Sequence, residues 1–149
     1  MKFISDDETV GRALFVPDWD PGVKRLTPSA FKRCDTSVTR LLDGEQTLIN
    51  YLKNDVENGK AVVQAVGVIS VSKIKAIGLI TDNKIHFGVK ESITLKNPHH
   101  AEIIPFSDEQ KTNIKSSVSK GVSRKLVDAL NLWIVDTAGL ITERIEPKS

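Results

Sequence analysis

Apolar positions recur along this chain with two different periods, and the switching between them predicts a fold of mixed helices and strands. Arg12-Ala13-Leu14-Phe15-Val16 is a short β-leaning run. It is closed by Pro17-Asp18-Trp19-Asp20-Pro21-Gly22, where Pro followed by Gly suits the central positions of a type II turn. Ser37-Val38-Thr39-Arg40-Leu41 alternates, so as a strand it buries Val38 and turns Ser37, Thr39 and Leu41 to the other face. Arg40 then shares the face of Val38, an unusual place for a guanidinium.

After Asp43-Gly44 the period becomes helical. Leu48, Ile49, Leu52 and Val56 form one stripe, Asp43 with Gln46 resembles a capping box, and Gly59 is placed to end a helix over 45–58. Ala61 to Val71 is rich in Val and Ile and reads as a largely buried strand. Ser72 is then placed to cap a short helix over Lys73–Ile77 that Gly78 stops. Leu79-Ile80, Asp82-Asn83 and Lys84-Ile85-His86-Phe87 read as strand and turn. His100-Ala101-Glu102-Ile103-Ile104 leads into Pro105 as another strand, and Ser107 or Asp108 is placed to begin a helical turn. Val122, Leu126, Ala129, Leu130 and Trp133 fall at helical spacing, which predicts a last core helix starting near Ser123. The expectation is one α+β domain over 1–149, a mainly antiparallel or mixed sheet packed by two main helices, with 1–10 and 142–149 frayed.

Composition narrows the classes. The chain of 149 residues is 40% hydrophobic and 27% charged, as a globular domain is, and has no run of about 18 apolar residues such as a membrane span needs. Its one cysteine, Cys34, excludes an intramolecular disulfide, and its amino terminus turns acidic at Asp6-Asp7-Glu8 before any signal-like apolar run. A cytoplasmic location without membrane contact is the expectation. The net charge of +2 alone implies no nucleic acid, but two basic clusters stand out. Lys24, Arg25, Lys32, Arg33 and Arg40 are countered by Asp35 alone, and Lys111, Lys115, Lys120, Arg124 and Lys125 form the second. Either a solvated face or a nucleic-acid contact accounts for them, the solvated face being the commoner.

Asn97-Pro98-His99-His100-Ala101-Glu102 carries residue types suited to catalysis. Strand geometry puts His100 and Glu102 on one face, with His99 opposite, as a candidate proton-transfer pair. Two adjacent histidines on a strand cannot face one ion, so no metal site and no cofactor are expected. Arg40 on a core-facing side requires a carboxylate or a ligand phosphate, which makes it either a structural ion-pair member, the favoured reading, or an anion anchor beside Ser29 and Ser37. Trp19, in a Pro/Gly turn, is either an interface anchor or a cover for the sheet edge. Cys34 has no neighbouring base and reads as a bystander. No phosphate loop, dinucleotide fingerprint or nucleophile elbow occurs, and the five Phe, two Trp and one Tyr form no pair interleaved with basic residues.

The combination of Arg25-Leu26-Thr27-Pro28-Ser29-Ala30-Phe31, Asp35-Thr36-Ser37-Val38-Thr39-Arg40 and Asn97-Pro98-His99-His100-Ala101-Glu102-Ile103 resembles an uncharacterised family of small bacterial proteins. These share Ser-Ala-Phe, Ser-Val and Asn-Pro-x-His-Ala motifs, over a span that corresponds here to Arg12–Val135. The resemblance implies a bacterial, cytoplasmic, stand-alone domain, attaches no activity, and points to Ser29, Ser37, Arg40, His100 and Glu102. The functional expectation is a binding module that works through a protein partner, a second copy or, by its basic clusters, nucleic acid. The alternative is an enzyme acting on a nucleotide or nucleic-acid phosphate, with Arg40 as anchor and His100 and Glu102 moving the proton.

Overall fold

Seven strands form one sheet in the order β6-β7-β4-β1-β5-β8-β9, with every neighbouring pair antiparallel. In chain order the elements are β1 (Thr9–Leu14), β2 (Trp19–Asp20), β3 (Arg25–Leu26), β4 (Thr36–Arg40), α1 (Glu45–Val56), β5 (Ala65–Ser70), α2 (Val71–Gly78), β6 (His86–Glu91), β7 (His100–Phe106), α3 (Lys120–Asp128), β8 (Asn131–Val135) and β9 (Ile141–Ile145). The structure, a computed structural model, describes residues 1–57, 61–80 and 82–147. β2 and β3 form a separate two-stranded hairpin, Trp19 opposite Leu26.

Strand alternation assigns side chains to two core layers. Val10, Val38, Ile69, Phe87 and Val89 face α2, α3 and the hairpin, meeting Ile74, Ile77, Val122, Leu126 and Trp19. Val66, Val68, Trp133 and Val135 face the other way, onto Leu48, Ile49 and Leu52 of α1. The fold is therefore α+β as expected, but with three helices: one on one face and two on the other. The short helix after β5 is a packing element in its own right, because Ile74 and Ile77 lie fully within the larger core.

Several local expectations are corrected. The N-cap of α1 is Gly44, with no side-chain cap, because Gln46 bonds instead to Asn50 Oδ1 and the Gly139 carbonyl. The stop expected at Gly59 lies outside the described residues. Ser70, not Ser72, caps α2 by accepting from the Lys73 N–H at 3.2 Å. α3 begins at its cap Ser119 and ends at Asp128. Ser123 instead lies buried in it and accepts the Phe31 N–H at 2.9 Å. Asp108 starts no helix, since its carboxylate accepts the N–H groups of Thr112 and Asn113 and closes a loop. Trp133 sits on β8: Asn131-Leu132-Trp133-Ile134-Val135 alternates between the two layers, so its helical spacing from Leu130 was a coincidence of two periods.

The expected frayed tail from 142 carries β9, paired to β8 through Leu132↔Ile145 and Trp133↔Arg144. At the other end Thr9 and Val10 belong to β1, and the Ile4 N–H bonds the Val89 carbonyl at 2.9 Å. Among the described residues no helix is long and apolar enough to cross a membrane.

Candidate functional site

The two arginines of the central strands have opposite fates. Arg40 stands across from Val10 on the layer of α2 and α3, as its alternation with Val38 requires. Its guanidinium donates to both carboxylate oxygens of Glu8, each at 2.7 Å, and to Glu91 at 3.0 Å. With its side chain only 16% exposed, this fork is taken by two carboxylates. Their hydrogen bonds hold Glu8 below the usual carboxylate range and push Arg40 further up.

Arg12 is held differently. One N–H reaches the Ser37 carbonyl at 3.4 Å, and the ring of Phe31 covers the guanidinium at 5.6 Å. Among the described residues no carboxylate lies within ion-pairing distance of it. Burial depresses its pKa, with Asp18 opposing and Arg33 adding to that effect.

Between these arginines the sheet parts. β1 pairs with β4 only at Val10↔Arg40 and Gly11↔Thr39, although β1 runs on beside β5 as far as Leu14 and β4 lies beside β7 from Thr36. A cleft of about 180 Å³ occupies the gap. Arg12, Ser37, Thr39, Asp55 and His100 are its polar lining, and Leu52 and Val56 of α1 supply apolar wall. α1 comes this close because Gly11 has no side chain: a Cβ there would stand 2.9 Å from Leu48.

Register explains which predicted residues meet. Thr39 is opposite His100, and Ser37 opposite Glu102, so Ser37, His100 and Glu102 share the α1 face of the sheet. Arg40 is on the other face. Ser29 lies with it on the α3 side, in the turn preceding Phe31, where its carbonyl accepts the Lys32 N–H. His100 does not bond to Glu102; its Nδ1 meets the Ser92 carbonyl at 2.8 Å. That contact calls for a proton on Nδ1 and leaves Nε2 without a partner among the described residues, an acceptor in the neutral ring. His99 is not opposite His100. It lies in the turn before β7, outside the alternation, and packs edge-on against Tyr51 of α1 with Nε2 3.4 Å from Asp43.

Asn97, the first residue of the polar segment singled out for its histidines, is the anchor of this region. It is fully buried, its Nδ2 donates at 2.8 Å to both Thr39 Oγ1 and Asp55 Oδ2, and its Oδ1 accepts the His99 N–H at 2.9 Å. Its polar sequence surroundings, Lys96-Asn97-Pro98-His99-His100, give no local sign of burial, and two of its partners are 58 and 42 positions away. Trp19 offers no indole to a partner: it is 2% exposed and fastens the hairpin to the core. Among the described residues no group of three His, Cys, Asp or Glu is placed to hold a metal ion.

On the α3 side, the two basic segments are joined. The Val118 N–H bonds the Lys32 carbonyl at 2.8 Å, Arg33 bridges Ser117, and Ser123 takes the Phe31 N–H. Lys24 pairs with Glu143 and Arg33 with Asp35, whereas Arg25, Lys32, Lys115, Lys120, Arg124 and Lys125 make no ion pair among the described residues. Beside this surface runs a groove of about 780 Å³, floored by Leu26, Leu130 and Leu132 and edged by Arg25 and Arg124. No protein-family model, curated protein or solved structure matches the chain.

Proposed function

We propose that the protein is a binding module for a polyanionic partner, nucleic acid, engaged by the surface that residues 24–33 and 115–125 build together. The observation that carries this reading is their union: segments about 90 positions apart are tied by backbone hydrogen bonds, and six of their cations make no ion pair among the described residues. Like charges gathered on one surface with few ion pairs among them cost stability, so their assembly favours an anionic partner that collects the benefit. Ordered backbone beneath them means that little conformational entropy is lost on binding.

Fluorescence anisotropy with labelled single-stranded and duplex oligonucleotides tests the reading. Binding should weaken steeply with salt, log K falling by about 0.7 per phosphate contacted on a single strand and about 0.9 on a duplex, per unit of log salt. The pair Arg124→Glu and Lys125→Glu should abolish it. Absence of saturable binding at low salt, or indifference to the charge reversal, rules the reading out.

A second reading, a peptide or protein partner, is favoured by the groove, whose aliphatic floor and charged rim suit a side chain that is part apolar. Leu132→Asp in the groove floor separates the two: it should leave oligonucleotide binding intact and remove a groove-bound peptide.

A further inference from the structure

The cleft between β1 and β4 has the makings of a small-molecule site distinct from the groove beside α3. Strands that part in the middle of a sheet leave backbone groups and side chains facing space that a ladder would otherwise fill. Here that space of about 180 Å³ is closed on one side by α1 and is smaller than the roughly 300–1,000 Å³ of pockets for drug-sized ligands. Its occupant is therefore small.

The lining states the chemistry. At one end is Arg12, which stands on the α3 side of the sheet with Val10 and Leu14 and enters the gap against Phe31; its fork of five N–H donors uses one, at 3.4 Å, on the Ser37 carbonyl and meets no carboxylate. A desolvated guanidinium pairs best with a planar or tetrahedral oxyanion. Arg40 shows what the same residue type does in this sheet when its partners are internal: it binds two carboxylates. Beside Arg12 the Ser37 hydroxyl has no partner among the described residues. Thr39 Oγ1 already accepts from Asn97, so its proton is free to be donated.

At the other end are acceptors. Asp55 gives one oxygen to Asn97 and keeps the second, and His100, with its proton fixed on Nδ1 by Ser92, presents Nε2. A bare anion would be repelled by Asp55; a ligand that pairs its anion with a hydroxyl or amine satisfies both ends.

We propose that this cleft binds a small oxyanion that also carries a hydroxyl or amino group, its anionic end on Arg12 and Ser37 and its donor end on Asp55 and His100. Carboxylate and phosphate share this chemistry, and the test separates them. Lactate and glycerol 3-phosphate are titrated separately into the isotope-labelled protein while backbone amide and His side-chain resonances are followed. Saturable shifts at Arg12, Ser37, Thr39 and His100 with either probe are expected, the tighter one naming the anion. Arg12→Gln should weaken binding at least tenfold, Arg12→Lys less, and Arg124→Gln on the basic surface not at all. If the amide spectrum shows that Arg12→Gln is unfolded, Ser37→Leu, an exposed position whose longer side chain fills the cleft mouth, takes its place with the same expectation. The proposal is overturned if neither probe shifts these residues saturably. It also fails if folded variants at Arg12 and Ser37 bind as the parent does, or if Arg124→Gln removes the binding.

Discussion

Glu8, Arg40 and Glu91 tie together three chain regions, the entry to β1 and the ends of β4 and β6, at a place where the core is closing over them. A guanidinium that loses its bidentate partner in such a setting keeps its desolvation cost without its hydrogen bonds. Glu8→Gln should lower stability by about 1.5–3 kcal/mol at neutral pH, measured by urea unfolding. Because Arg40 depresses the Glu8 pKa below 4.5, the carboxylate binds protons less readily in the folded state. Its contribution is therefore complete above about pH 4.5 and disappears as pH falls through the depressed native value. The stability gap between parent and Glu8→Gln should accordingly shrink between neutral pH and about pH 3. Asn97 makes a second prediction at this scale. Replacing it with Ala leaves the Asp55 carboxylate, Thr39 and the His99 N–H without their partner, and should cost about 2–4 kcal/mol, read from the same unfolding curves.

Elements succeed here when their neighbours agree with their pattern. Position 78 at the end of α2 requires glycine because the chain entering β6 passes directly over it: a Cβ would run into the Ile85 carbonyl and lie 2.7 Å from the Phe87 ring. Neither neighbour is a flexible side-chain end, so Gly78→Ala should cost about 1–3 kcal/mol, visible as a lowered midpoint of thermal unfolding. β9 is stabilised across its length by elements distant in sequence. Arg144 makes two hydrogen bonds to Glu45 of α1 and lies over Trp133 at 5.5 Å, and Glu143 meets Lys24 of the hairpin turn. Deleting residues 141–149 should therefore expose Trp133 and shift its fluorescence to longer wavelength, where removal of a frayed tail would leave the spectrum unchanged.

For the whole molecule, the sheet separates two chemistries. One face, under α1, carries the Asp55 and His100 walls of the cleft and the Asn97 network; the other, under α3, carries the joined basic segments and the Arg12 side chain, which lies against Phe31. A ligand on one surface should not displace a ligand on the other. Oligonucleotide affinity measured with saturating lactate or glycerol 3-phosphate should equal that without, and a change of more than about threefold, some 0.6 kcal/mol, would mean that the two faces are coupled.

The hydrophobic periods by themselves determined the α+β class, α1, the buried strand leading into α2, the strand after Asn97-Pro98 and the shared face of His100 and Glu102, because each follows from contacts within a few residues. That Arg40 needed a charged partner was also legible, since a core-facing guanidinium has few other states. Which groups serve as that partner was not: Glu8 and Glu91 are separated from Arg40 by 32 and 51 positions. Tertiary structure alone decided that Arg12, unremarkable in an apolar run, is covered by Phe31 with no carboxylate partner among the described residues. It decided too that Trp19 is buried, that the last stripe divides into α3 and β8, and that residues 31–33 of one basic cluster are bonded to residues 117–123 of the other. Each of these depends on which strands become neighbours, and pairing between distant segments leaves no local period for a sequence to display.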